Sequence, residues 1–294
     1  MNPNSGRTAL AVFLFGAMSV GADEQKPVVS IPMRLNDAYQ YSIQARINGL
    51  DAMWCHVDSG GGDRIYLDRD WAAKAGIKPT STGLSAGPQN TKMTQDDRSQ
   101  VTVEVSSIKL VNQTALLQSM SYMPCVIGQT VFQQYVVEVD YETPAIRLYD
   151  PAQFHYNGPG QTLPLTMEGG NPFVTATLTT TNGKSFQARV AVDTGGGSAV
   201  VMMSKSYVDK SDLMSQIQDP VSEPTYGYSG RQARVIAARI EKLTVGPFEI
   251  SRPVIHLWQI QGFGGSSGPD GLLCSAFLRR FKLFFDYGRK TITL

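Results

Sequence analysis

Asp58-Ser59-Gly60-Gly61-Gly62 and Asp193-Thr194-Gly195-Gly196-Gly197 are two copies of one short motif, each at the end of an apolar run. One such motif alone is ordinary turn composition, because Asp and Thr hydrogen-bond locally and Gly tolerates unusual backbone angles. Two copies inside a repeat place two carboxylates on matching turns.

The repeat extends beyond the motif in both directions. Ile31-Pro32-Met33-Arg34-Leu35, an alternating stretch from Tyr39 to Ile47, Asn48-Gly49 and Met53 to Val57 precede the first copy. Leu163-Pro164-Leu165-Thr166-Met167, an alternating stretch from Phe173 to Leu178, Asn182-Gly183 and Phe186 to Val192 precede the second. Both read as strand, Asn-Gly turn, strand, motif. Downstream, Val126-Ile127-Gly128-Gln129-Thr130-Val131-Phe132 through Asp140-Tyr141 aligns without a gap on Leu272-Leu273-Cys274-Ser275-Ala276-Phe277-Leu278 through Asp286-Tyr287. Each half closes on a short strand, Ala145 to Tyr149 or Thr291 to Leu294. The repeat is a unit of roughly 130 residues, large enough for a hydrophobic core of its own. The boundaries predicted are a first lobe at 23–152, a linker at 153–162 containing Gly158-Pro159-Gly160, and a second lobe at 163–294. After each motif a short helix is expected, from Asp68 to Ala75 and from Ser204 to Leu213, the first ended by Gly76.

On the two motifs, the apolar-apolar-Gly of Val126-Ile127-Gly128, and the ending Phe277-Leu278-Arg279-Arg280-Phe281 to Phe285-Asp286-Tyr287, the chain resembles the aspartic peptidases of the pepsin and retropepsin group, particularly small bacterial secreted members. The resemblance covers nearly all of the chain after about residue 28 and implies a mostly β, bilobal fold with pseudo-twofold symmetry and few short helices. It implies that Asp58 and Asp193 meet at the lobe interface as the catalytic pair. It also implies that the strand carrying Gly128 or Cys274 threads each Asp loop, although Cys274 stands where Gly is expected. Ser59 and Thr194 are then the hydroxyls that hydrogen-bond to the opposite loop, and Gly60 and Gly195 permit the tight turns. The Gly-, Pro-, Ser- and Thr-rich stretches Ser81 to Gln95 and Val221 to Gln232 become candidate flap hairpins. No tyrosine occurs between Tyr66 and Tyr122, so the first flap lacks the Tyr expected of pepsin. Gly87 in the first and Tyr226 and Tyr228 in the second are the candidate substrate contacts, ordinary turn packing being the alternative for the tyrosines.

Two carboxylates at hydrogen-bonding distance cannot both ionise, so such a pair holds one proton and titrates as a unit. One member can accept a proton from water while the other donates to the scissile carbonyl oxygen. The chemistry implied is endopeptidase hydrolysis without cofactor or metal, in a monomer that carries both halves. Gly61 and Gly196 stand where family members have Ser or Ala. No hydroxyl is available there to stabilise an ionised carboxylate, which predicts an optimum less acidic than pepsin's. The alternative is a pepsin-fold adaptor that binds peptides or envelope proteins without useful hydrolysis, with the glycine triplets and the missing tyrosine on its side.

Residues 1–22 carry Arg7, an apolar run from Ala9 to Val20 and Val20-Gly21-Ala22 before Asp23-Glu24, the pattern of a secretory signal peptide. An uncleaved anchor is the alternative, disfavoured by the shortness of the run. A periplasmic or secreted location without stable membrane insertion is therefore expected. Lys+Arg 26 against Asp+Glu 25 leaves no basic field for nucleic acid, so the expected partners are peptides or proteins. Three cysteines make an odd count. The family fold sets the strands of Cys55 and Cys125 side by side, implying a disulfide with Cys274 free and buried; three small core residues is the alternative.

Other signals carry less. Gly264-Gly265-Ser266-Ser267-Gly268 matches a hydrolase elbow, but Pro269-Asp270-Gly271 follows and no histidine lies downstream. His56, His155 and His256 are scattered singly and read as structural. Asp140 and Asp286 also read as structural.

Overall fold

The computed structural model describes residues 25–86, 93–227, 232–259 and 268–294. Gly87, Tyr228, the expected signal peptide at 1–22 and Gly264 to Ser267 lie outside them.

In the first lobe the alternating segments form the strands Val29–Leu35, Tyr41–Ile47 and Met53–Val57, paired antiparallel in sequence order. Asn48 and Gly49 turn the second into the third with φ of 52° and 73°, a conformation that Asn and Gly tolerate best. The second lobe repeats the hairpin with Asn171–Thr179 and Ser185–Val192.

A crossover then threads each hairpin. Cys125–Ile127 runs parallel to Met53–Val57 and antiparallel to Ile65–Asp68. Gly271–Leu273 runs parallel to Ser185–Val192 and antiparallel to Val201–Met203. Strands buried on both faces need continuous apolar runs, which both threading strands have. A disulfide joins Cys55 to Cys125 across the first parallel pair, and Cys274 is free and buried.

The helices are short and capped as their sequences dictate. Arg69–Lys74 starts where the Asp68 carboxylate accepts from the Trp71 N–H at 2.9 Å. Lys205–Ser211 is capped by Ser204 and stops at Asp212, whose φ of 55° breaks the helix before Leu213. The following turn, Leu213–Gln216, is a 3₁₀ helix. Both candidate flaps are hairpins: Ser81–Ala86 pairs with Met93–Val105, and Val221–Tyr226 with Gln232–Arg239.

The lobes are less separate than the repeat alone suggests. Six antiparallel strands are shared, in the order Thr162–Pro164, Thr291–Thr293, Leu283–Asp286, Val136–Asp140, Ala145–Tyr149 and Val29–Leu35. The closing hairpin of the second half pairs directly with the first, Phe284 opposite Glu138. Thr162, the last residue of the expected linker, already pairs with Thr293 in this sheet. The core is therefore continuous across the halves, with Phe132 meeting Phe285 edge to face at 5.2 Å. Lys282 from the second half also joins Asp140 at 3.0 Å, which Arg147 contacts at 3.2 Å. Burial opposes the charge of Asp140, but hydrogen bonds from Thr143 and pairing with Lys282 and Arg147 overcome it and hold the carboxyl below its usual range. Asp140 and Asp286 each tie down their own turn, through Thr143 and Arg289.

Candidate active site

Each Asp begins where its hairpin strand meets the threading strand. The Asp58 N–H donates to the Ile127 carbonyl and the Asp193 N–H to the Leu273 carbonyl, both at 2.9 Å. Within each loop the carboxylate accepts from a glycine N–H two residues on, Gly60 to Asp58 and Gly195 to Asp193, both at 2.8 Å. The two carboxyl groups come within hydrogen-bonding reach of one another. A Cβ on Gly60 would sit 3.0 Å from Asp193 Cγ, so this approach depends on glycine at that position. Asp58 is 6% and Asp193 8% exposed.

Ser59 and Thr194 lock the loops together. The Ser59 N–H donates to Thr194 Oγ1 at 3.0 Å, and the Thr194 N–H donates to Ser59 Oγ at 3.1 Å. Each hydroxyl in turn donates a hydrogen bond to a carbonyl of the opposite hairpin, Ser59 to Val192 at 2.8 Å and Thr194 to Val57 at 3.2 Å. The result is a closed, buried ring of four hydrogen bonds.

Burial pushes the Asp193 carboxyl well up, and the neighbouring Asp58 adds to the shift through its charge and a hydrogen bond. The N–H groups of Gly195 and Gly196 act in the opposite direction without overcoming it. Burial and the proximity of the two carboxyls therefore favour one proton held by the pair as a unit.

Gly128 and Cys274 occupy equivalent positions with different surroundings. A Cβ on Gly128 would lie 2.2 Å from the Gly62 carbonyl oxygen and 2.6 Å from that of Arg64, which makes glycine obligatory. The Gly128 N–H donates to Arg64, whereas the Cys274 N–H donates to Val200. Val200 lies one residue farther from Asp193 than Arg64 lies from Asp58, and that longer loop leaves room for the thiol. The thiol fills the room completely, since a Cβ on Gly196 would meet Cys274 Sγ at 2.6 Å. With cysteine at 274, position 196 has no room for a side chain.

Several supporting residues escaped the sequence reading. Gln129 and Ser275 follow Gly128 and Cys274 in the gapless alignment, and each holds the carbonyl of the residue after its lobe's Asp. Gln129 Nε2 donates to Ser59 O at 2.8 Å, and Ser275 Oγ to Thr194 O at 2.6 Å. The matching alignment columns were the available signal, hidden by unlike residue types. Gln40 reaches the Gly195 carbonyl across the interface at 2.5 Å, and Asn171 accepts from Gln129 at 2.9 Å. The Tyr66 hydroxyl donates to the Gly61 carbonyl at 2.7 Å and anchors the first loop.

Of the flap candidates, Tyr226 is 56% exposed at the end of its strand. An open groove of about 520 Å³, lined by Gln44, Arg46, Trp54 and Glu104, does not include either Asp. Among the described residues no three His, Cys, Asp or Glu side chains converge as a metal site.

No family model and no curated protein matches the chain. In structure it is similar to the aspartic proteinase from Irpex lacteus, with a TM-score of 0.57 and 15% identity over 90% of this chain and 96% of that one. The fold is accordingly the mostly β, bilobal pepsin-like one.

Proposed function

We propose that the chain is an aspartic endopeptidase, with Asp58 and Asp193 as its catalytic pair, acting in the periplasm or outside the cell. The observation that carries this reading is the approach of two carboxyl groups, one from each half, inside the ring formed by Ser59 and Thr194. Such preorganisation fixes the reacting groups before substrate arrives.

In this reading a water lies between the pair. Asp58 accepts its proton as it attacks the scissile carbonyl, and Asp193 donates its proton to the carbonyl oxygen. Collapse of the tetrahedral species returns a proton to the leaving amine, so hydrolysis proceeds without a covalent enzyme intermediate. The flap hairpins Ser81–Ala86 with Met93–Val105 and Val221–Tyr226 with Gln232–Arg239 are the elements proposed to cover an extended peptide. Since one chain supplies both loops, a monomer suffices. The cysteine bridge and the amino-terminal pattern support an oxidising compartment.

Incubation with a denatured protein mixture, with and without a statine-type transition-state mimic, tests the reading. Cleavage suppressed by the mimic is expected; retention of peptide with no cleavage in any buffer would favour the adaptor instead.

A further inference from the structure

His56 lies two residues before Asp58, on the same side of strand Met53–Val57, and is 1% exposed. The equivalent position before Asp193 is Ala191. His56 pairs with Ser42 on one neighbouring strand and Val126 on the other, and its imidazole hydrogen-bonds the Tyr41 backbone carbonyl. Tyr41 is itself fully buried. Its hydroxyl faces that of Thr194 in the opposite lobe without closing a hydrogen bond of ordinary geometry. Register places Tyr41 across from Val57, whereas the equivalent place across from Val192 holds Pro172. The approach of Tyr41 to the opposite Asp loop therefore has no counterpart at Pro172 in the second lobe.

We propose that His56 is a positioning residue for the Asp pair, anchoring the Tyr41 main chain so that its phenol stays against Thr194 and the two loops have unequal surroundings. This rests on the reading of Asp58 and Asp193 as a working dyad. Asp58 is the charged group facing the imidazole from its own strand, and Tyr41 the titratable group facing it from the neighbouring one. Beyond Tyr41 stand the buried phenols of Tyr141 and Tyr287, the latter also within the field of Asp193. Burial lowers the imidazole pKa against the pull of Asp58 and keeps the ring neutral. A neutral ring still has the one N–H that the Tyr41 carbonyl requires.

The test compares His56→Gln, which keeps a neutral N–H donor, with His56→Leu, which keeps bulk alone. Carboxyl ¹³C NMR of the Asp58–Asp193 pair needs no substrate. His56→Gln is expected to leave its apparent midpoints within about 0.3 unit of wild type, and His56→Leu to move one by about 1 unit or more. In cleavage assays kcat falls about tenfold in the Leu variant at unchanged KM, and less than about threefold in the Gln variant. Identical titrations in all three proteins overturn the proposal, as do equal shifts in the Gln and Leu variants. A wild type that cleaves nothing sinks the functional reading, while the NMR comparison still decides His56. If the Leu variant does not fold, Tyr41→Phe takes its place, and unmoved midpoints there overturn the proposal.

Discussion

Ser59 and Thr194 are each other's hydrogen-bond partners: each backbone N–H donates to the other's side-chain oxygen, at 3.0 and 3.1 Å. The ring they form fixes the separation of the Asp loops.

Removing either hydroxyl leaves a buried N–H and a buried carbonyl unpaired. Ser59→Ala and Thr194→Val are each expected to lose about 1–3 kcal/mol in urea denaturation. Because both act on one ring, the double variant loses less than the sum. Additive losses would show that the ring does not act as a unit.

Asp193 supplies a pH-dependent contribution of definite sign. Its folded pKa is raised above the unfolded value, so its contribution is fully present below the unfolded carboxylate range and is lost as pH rises through the folded pKa. Asp193→Asn is therefore expected to melt above wild type at neutral pH, by about 2–4 °C for each kcal/mol released. The gain shrinks as the buffer is taken toward about pH 4. A variant less stable than wild type at neutral pH contradicts this assignment.

Gly196 and Cys274 share one space. Gly196→Ala drives its methyl into the thiol and is expected to destabilise by about 1–3 kcal/mol. Adding Cys274→Gly restores most of that loss in thermal melts. Failure of the second substitution to rescue the first would place the conflict elsewhere.

The Cys55–Cys125 bridge spans a sequence separation of 70 residues. Thiol titration of the unfolded, unreduced protein should give one free thiol, that of Cys274. Replacing both bridged cysteines by Ala should lower stability by about 2–5 kcal/mol. Three free thiols would remove the bridge from the account.

How much of this was readable beforehand follows from the residues. The Asp loops, their strands and the threading segments were legible because repetition of unlike neighbours around like motifs singles out what the backbone needs. Gln129 and Ser275 do one job with different side chains, so residue identity concealed what alignment position showed. Gln40, Tyr41 and Asn171 act across the interface, and no local pattern records a contact formed only when the lobes dock. The pairing of Leu283–Asp286 with Val136–Asp140 is non-local in the same sense. His56 looked structural because a lone histidine on a strand has no sequence partner; its meaning comes from Tyr41 and Thr194.

The pair of carboxyls carries the whole functional account, and digestion of a denatured protein mixture by wild type, Asp58→Asn and Asp193→Asn is its most direct measurement. Wild type is expected to cleave with a maximum above about pH 3, the glycines at 61 and 196 offering no hydroxyl to favour ionised carboxylates. Both Asn variants should fold, since amide and carboxyl have nearly the same shape, and should lose cleavage by about a thousandfold or more. Cleavage that persists in either folded variant would contradict the claim that these two carboxyls perform the hydrolysis.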